Sequence, residues 1–288
     1  VGLFGFLRFV HGAASSAWWT AVSALSADLA PPERRGQVLG LVGVSGMLSM
    51  AIAPSAGEWV ARRYGFGALF LGAVALAATA ALLTRRIAEP PRDGDPAPVE
   101  NPVRALRALP RRVLPAFLVN GLFGFAQGTL FVFLPAYAHH ARIPQVGPFY
   151  LAYSSVAVGV RLFGGWIIDQ VSKRRVIVPS LGAMALGLVI LPAAEAPGTL
   201  ALVGLISGGG HGFLYPASST MVIERSGAGQ AGVALGAYTS LGRVGATLSA
   251  FAFGWILAHG LGYTTVFLVA AGLTVAGAAS FFWIEQRR

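Results

Sequence analysis

The chain has 288 residues, 55% of them hydrophobic and 11% charged, with a mean hydropathy of +0.68. A soluble domain of this length needs roughly twice that share of charge to cover its surface, so a soluble class is excluded. The formal net charge is +10, but the basic residues sit in short loops between apolar runs, which argues against nucleic acid and for membrane orientation. The chain has no Cys, which excludes disulfides, thiolate metal sites and thiol redox chemistry.

The apolar runs fall at about 2–26, 37–59, 66–84, 113–137, 147–168, 176–194, 199–222, 230–257 and 263–284. They run near twenty residues without period-two alternation, so each is expected to be a helix crossing a hydrocarbon core of roughly 30 Å. An all-α membrane protein with about nine spans is the expectation.

The first run places Arg8, His11, Ser15 and Trp18 on one helix face. A charge at mid-membrane costs at least about 2.5–3.5 kcal/mol, so Arg8 should face a cavity or a partner; the alternative is a snorkelling arginine near the outer end. The second run carries Gly40-x8-Ser49-x3-Ala53-Pro54-x-x-Gly57, small residues for close helix contact with a bend at Pro54. The connector 85–112 holds Pro90, Pro91, Pro96, Pro98 and seven arginines, too polar to cross lipid. It divides residues 1–84 from 113–288.

In the fourth run Asn120, Phe123, Gln127 and Phe131 share a face. Amides beside aromatics suit a binding wall, and inter-helix hydrogen bonding is the competing reading. Arg161 lies within the fifth run, eight residues or about two turns before Asp169, in a segment that continues Gly165-Trp-Ile-Ile-Asp169-Gln-Val-Ser-Lys173-Arg174-Arg175. Arg161 is read either with this charged loop or as a cavity charge. The seventh run places His211 and Tyr215 as a second stripe, and the eighth holds Tyr238 and Arg243 with Gly236-x8-Gly245-x3-Ser249. Arg243 is expected to meet an acidic group. Histidine changes charge near neutral pH, which suits a proton-linked gate; a neutral, hydrogen-bonded histidine is the alternative.

Arg34, Arg35, the connector arginines, Lys173 to Arg175, Arg225, Arg287 and Arg288 fall on one side of the spans, against Arg62, Arg63 and Arg142 on the other. The first group, and the C-terminus with it, is therefore expected in the cytoplasm. An internal repeat accompanies this topology. Gly57-Glu-Trp59 recurs as Gly254-Trp255, Gly65 with Phe70-Leu71 as Gly262 with Phe267-Leu268, and His11-Gly12 with Thr20 and Val22 as His211-Gly212 with Thr220 and Val222.

Three motifs carry a family resemblance. The loop Gly165 to Arg175 resembles the G-x-x-x-D-R-x-G-R-R signature of the major facilitator superfamily, departing from it at Gln170 and Ser172. Arg8-Phe-Val-His11-Gly12-Ala13-Ala14 resembles the R-x-x-Q-G-x-G pattern, with His11 and Ala14 substituted. The Gly40 to Gly57 segment resembles the antiporter motif G-x8-G-x3-G-P-x-x-G-G, with Ser49, Ala53 and Glu58 in place of glycines. The resemblance implies a helical bundle of two pseudo-symmetric six-helix halves, with this chain supplying helices four to twelve. About three more helices, on the order of 100 residues, are then expected upstream of Val1.

It also implies a monomeric secondary transporter in a bacterial inner membrane, closest to drug:proton antiporters, with protons and a small molecule as partners and no cofactor. On this reading Arg8, His11, Trp18, Asn120, Gln127, His211, Tyr215, Tyr238 and Arg243 line the substrate and proton pathway. Arg161, Gly165, Asp169, Lys173, Arg174 and Arg175 form a conformational switch. An importer or facilitator of the same superfamily, and a non-transporting receptor or scaffold, remain open. No nucleophile constellation, metal spacing or phosphate loop is present in the sequence, so an enzyme is not expected.

Overall fold

The computed structural model describes residues 2–29, 35–87, 102–164, 167, 170–227 and 230–287. Among these, every regular element is helical: α1 (Gly2–Leu29), α2 (Arg35–Thr84), α3 (Pro102–Arg107), α4 (Leu114–His140), α5 (Gly147–Phe163), α6 (Lys173–Ile190), α7 (Pro197–Arg225), α8 (Ala231–Ala258) and α9 (Gly262–Gln286). Five segments are long and apolar enough to cross a membrane: Val42–Thr84, Arg111–His140, Lys173–Ala193, Ala231–Ala258 and Gly262–Gln286. Helix formation satisfies every backbone polar group within the segment, as hydrocarbon requires.

The sequence reading separates two spans at 60–65, around Arg62 and Arg63. The structure instead carries the helix through both arginines and breaks it only at Gly65, where φ is 82° and ψ is 169°. That left-handed backbone excludes a β-carbon at little cost only for glycine. Gly262, the repeat-related position, opens α9 with φ 77°. Both glycines take a positive φ.

The chain forms two compact units, one of residues 1–49 and 60–95 and one of 50–59 and 96–288. In the first, α1 and the second half of α2 present apolar side chains outward, among them Phe4, Phe9 and Leu76. The second holds the packed core: Phe149, Tyr153, Leu181, Tyr238, Phe253, Phe267 and Phe281 are all buried. Phe163, Phe251 and Trp283 on the same helices are exposed. Apolar residues therefore occupy both the inside and the outside, and hydrophobicity alone does not select the inner face.

Small residues select it, by letting backbones approach. A β-carbon at Gly128 of α4 would sit 2.6 Å from Ala246 Cα and 2.6 Å from Ser249 Oγ of α8, and one at Gly124 would overlap the Gly242 carbonyl. Gly245 likewise abuts the Gly121 carbonyl. Thus Gly245 and Ser249 of the Gly236 motif build the α4–α8 crossing, whereas a β-carbon at Gly236 would meet nothing within 4 Å. On the other side of the core, Gly204, Gly208 and Gly212 of α7 lie against α5, and Gly210 lies against the Ser180 carbonyl of α6.

Two polar ties close the ends of this unit. Tyr137 donates its hydroxyl to the carbonyls of Pro192 and Ala194, 3.0 Å from each. At the opposite end Arg225 grips both carboxylate oxygens of Glu285, Nη1 to Oε1 at 2.7 Å and Nη2 to Oε2. Arg112 Nε donates to the Arg225 carbonyl at 2.7 Å. The carboxylate holds Arg225, beyond the apolar run, above the ordinary guanidinium pKa. Sequence reading treated Arg225 as a topology signal only. The structure makes it a clasp joining α7, α9 and the segment before α4.

Candidate functional site: a polar cluster among α4, α5, α7 and α8

The centre of the second unit holds an uninterrupted chain of polar contacts. Gln127 Nε2 of α4 donates to Tyr153 Oη of α5 at 3.3 Å. Tyr153 Oη lies 2.9 Å from His211 Nδ1 of α7, and His211 Nε2 lies 3.5 Å from Arg161 Nη2 of α5. The Arg161 guanidinium sits over the Tyr215 ring, 5.4 Å from its centre. Tyr215 and Tyr238 of α8 are ring neighbours at 5.9 Å. Tyr238 Oη and Ser218 Oγ are 2.5 Å apart, and Asn120 Nδ2 donates to the Tyr238 carbonyl at 2.5 Å.

Helix periodicity explains the assembly. Tyr150, Tyr153, Ala157 and Arg161 recur at three, seven and eleven residues, one stripe of α5, and His211, Tyr215 and Ser218 form the facing stripe of α7. Close approach of those helices at Gly208 and Gly212 brings the stripes together. Phe123 packs on the His211 ring at 4.8 Å, and Phe131 meets Tyr153 edge-on at 5.1 Å. His211, Tyr153 and Tyr238 are buried, while Gln127, Arg161 and Tyr215 remain half-buried.

The chemistry of the donors fixes the tautomer. A guanidinium only donates, so His211 Nε2 must accept and the ring proton lies on Nδ1, pointing at Tyr153. A second proton on Nε2 would place two unit charges about 3.5 Å apart. At an effective dielectric near 20 that repulsion is about 5 kcal/mol, well above the 1–3 kcal/mol that moves a two-state protein. A charged His211 would therefore be set against Arg161 in this position. Among the described residues Arg161 Nε is buried with no hydrogen-bond partner.

Six of the residues singled out in the sequence are joined in this one chain: Asn120, Gln127, His211, Tyr215, Tyr238 and Arg161. Arg161 falls here, in the last turn of α5 before the charged loop, and stands beside the pathway residues. Asn120 serves an inter-helix hydrogen bond, the competing reading for its stripe; Gly242 makes room for it, since a β-carbon there would sit 2.7 Å from Asn120 Nδ2. Arg243 is exposed on α8, and its carbonyl accepts from Thr247 Oγ1. Arg8, His11 and Trp18 are exposed along α1 in the first unit. Tyr153 and Ser218 were missed by sequence reading, although the Tyr153–Arg161 spacing carries the same signal used for α4.

The switch-loop candidates divide. Gly165 and Asp169 lie outside the described residues. Lys173 Nζ is 3.5 Å from Glu224 Oε1, Arg174 lies over the Phe282 ring at 4.8 Å, and Arg175 lines a cavity between α6 and α7. Three cations in the first turn of α6 oppose its dipole, a cost offset here by those contacts. In the antiporter-like motif, Gly40 lies in α2, and Ser49 Oγ donates to the Ser45 carbonyl at 3.0 Å. Pro54 and Gly57 lie in Met50–Trp59, the stretch of α2 that belongs to the second compact unit. There Ser55 packs against Gly147 at the start of α5. Among the described residues no three metal-ligating side chains converge.

Helices of membrane-spanning length, an apolar exterior and a buried polar cluster at helix crossings define a multi-pass membrane protein. The family model for the Major Facilitator Superfamily matches residues 1–171 and again 116–288, and the chain belongs to that superfamily of transporters. It is similar to multidrug resistance protein MdtG of Salmonella paratyphi A (strain ATCC 9150 / SARB42), at 25% identity over 278 residues, 92% of this chain and 68% of that protein. The same protein from Salmonella arizonae and from Salmonella newport is 24% identical over the same shares.

Proposed function

We propose that this transporter is a proton-coupled exporter of small molecules in a bacterial cytoplasmic membrane, working by alternating access with its C-terminus in the cytoplasm. On this reading residues 1–84 belong to the N-terminal half, 85–112 form the cytoplasmic connector and 113–288 form the C-terminal six-helix half, so that the spans correspond to helices four to twelve of twelve. Two observations support the repeat: residues 116–171 are matched in both placements of the family model, and Gly65 and Gly262 share a left-handed backbone. The direction rests on the printed name of the relatives, multidrug resistance protein.

The observation that carries proton coupling is His211 held between a phenol and a guanidinium. The groups at its ring are Phe123 from α4 and Tyr153 and Arg161 from α5; Gln127 contacts Tyr153, Tyr215 contacts Arg161, and Tyr238 of α8 is the ring neighbour of Tyr215. A proton reaching Nε2 expels Arg161, and because Arg161 ends α5 just before the loop to α6, the displacement is passed to that loop. Arg8 and His11 are proposed as the matching polar stripe of the N-terminal half.

His211→Gln tests this. Gln keeps hydrogen bonding but cannot take up a proton, so the pH dependence of transport should flatten while substrate still binds. A Cys placed at 211 or at 11 should react with small polar thiol reagents, and the native chain has no Cys to obscure the reaction. An unchanged pH profile together with inert cysteines would reduce both histidines to packing.

A further inference from the structure

We propose that the cavity beside the basic turn of α6 is a binding site for one anionic phospholipid, with Arg175 as its headgroup ligand. The cavity measures about 280 Å3 and is lined by Ile167, Val171, Val176, Pro179, Ala183 and Phe213 together with Arg175. None of the residues of the His211 cluster lines it, and it takes no part in the proton-coupling reading.

The cavity follows from the sequence. Gly210 lets α7 approach the Ser180 carbonyl of α6 closely, and Ala183 and Gly209 beside that crossing carry too little side chain to fill the space left. Pro179 interrupts the α6 hydrogen-bond ladder at the same level. Its size falls just below the roughly 300–1,000 Å3 of sites for drug-sized ligands, and its walls are almost wholly apolar. A stretch of acyl chain suits such a space; a polar solute does not.

Of the three cations in the first turn of α6, only Arg175 lines the cavity. Lys173 is engaged by Glu224 and Arg174 by the Phe282 ring. Arg175 is exposed, and among the described residues its guanidinium meets no carboxylate. An exposed cation at the end of an apolar slot complements a phosphodiester joined to an acyl chain. Basic residues at the cytoplasmic edge of a helix bundle attract anionic headgroups by the same electrostatics.

The test uses the purified protein in detergent, with bound lipid counted by native mass spectrometry. Dioleoylphosphatidylglycerol should be retained about fivefold better than dioleoylphosphatidylcholine, the preference one basic residue supplies. Arg175→Gln should abolish the preference and Arg175→Lys should keep it. Lys173→Gln and Arg174→Gln should leave it standing, because those side chains are already engaged. Ala183→Phe, which fills the cavity, should lower retention of both lipids while the thermal unfolding transition stays within a few degrees of wild type. Glycerol phosphate, the headgroup without chains, should not compete. Equal retention of the two lipids, a preference that survives Arg175→Gln or disappears equally in Arg174→Gln, or full competition by glycerol phosphate would each overturn the proposal.

Discussion

Asn120 shows how a single side chain divides between function and architecture. Its position on a stripe with Phe123, Gln127 and Phe131 was legible from spacing. Its partner was not, because the Tyr238 carbonyl belongs to a helix over a hundred residues away and is reached only because Gly242 has no side chain. An inter-helix hydrogen bond of this kind contributes about 0.6–1.7 kcal/mol in a membrane protein. Asn120→Ala should therefore destabilise the fold by about 1 kcal/mol, and Gly242→Ala by a similar amount through collision with Asn120. Combined, the two should cost less than their sum, since the alanine at 120 vacates the space the new methyl needs. A double-mutant cycle by reversible unfolding in detergent measures this coupling. Strict additivity would mean that the pair does not interact. Tyr153 was legible in principle at the same scale, from its spacing to Arg161. A phenol amid Phe149 and Tyr150 reads as core until His211 is seen beside it.

The helices themselves were placed well from apolar run length, because in hydrocarbon a long apolar run has no other hydrogen-bonded option. Their ends and their crossings were not. The break expected over 60–65 is confined to Gly65, because Arg62 and Arg63, which normally mark a loop in such sequences, continue the helix. Glycine-rich spacing announced close packing without saying which glycines pack, and the structure sorts them. Gly128→Val should force α4 and α8 apart and cost about 1–3 kcal/mol. Gly236→Ala, facing open space on the same helix as the motif, should be neutral or slightly stabilising. Equal effects at the two positions would contradict the α4–α8 crossing. The clasp at the other end predicts a second outcome. Glu285 is 8% exposed and Arg225 23%, so Glu285→Gln removes a bidentate partner from a mostly buried cation and should cost about 1–3 kcal/mol. Glu224→Gln, whose 54%-exposed carboxylate meets Lys173 at the surface, should change stability far less. Thermal unfolding of the two variants side by side distinguishes these contacts.

For the whole molecule, the superfamily was legible because its motifs carry charge into places where charge is costly. The substrate was not, because a transport site is defined by what its walls admit, not by a reacting constellation. The sequence left Arg161 either with the loop at 165–175 or as a cavity charge, and in the structure its guanidinium lies 3.5 Å from His211. On the proposed mechanism that arginine links the two: protonation moves Arg161, and α5 carries the movement toward the loop. Asp169→Asn should then slow transport several-fold with little change in membrane insertion, since a lost contact of about 1–3 kcal/mol shifts a two-state balance by that much. The most direct measurement of the central claim is made in inverted membrane vesicles containing the protein and acidified inside by respiration. Addition of an exported compound should release protons from the vesicles, seen as recovery of a quenched pH-sensitive dye, and a protonophore should stop uptake of the compound. The same vesicles carrying His211→Gln should show neither response. Uptake that proceeds unchanged with protonophore present, or proton release that survives His211→Gln, would contradict the account.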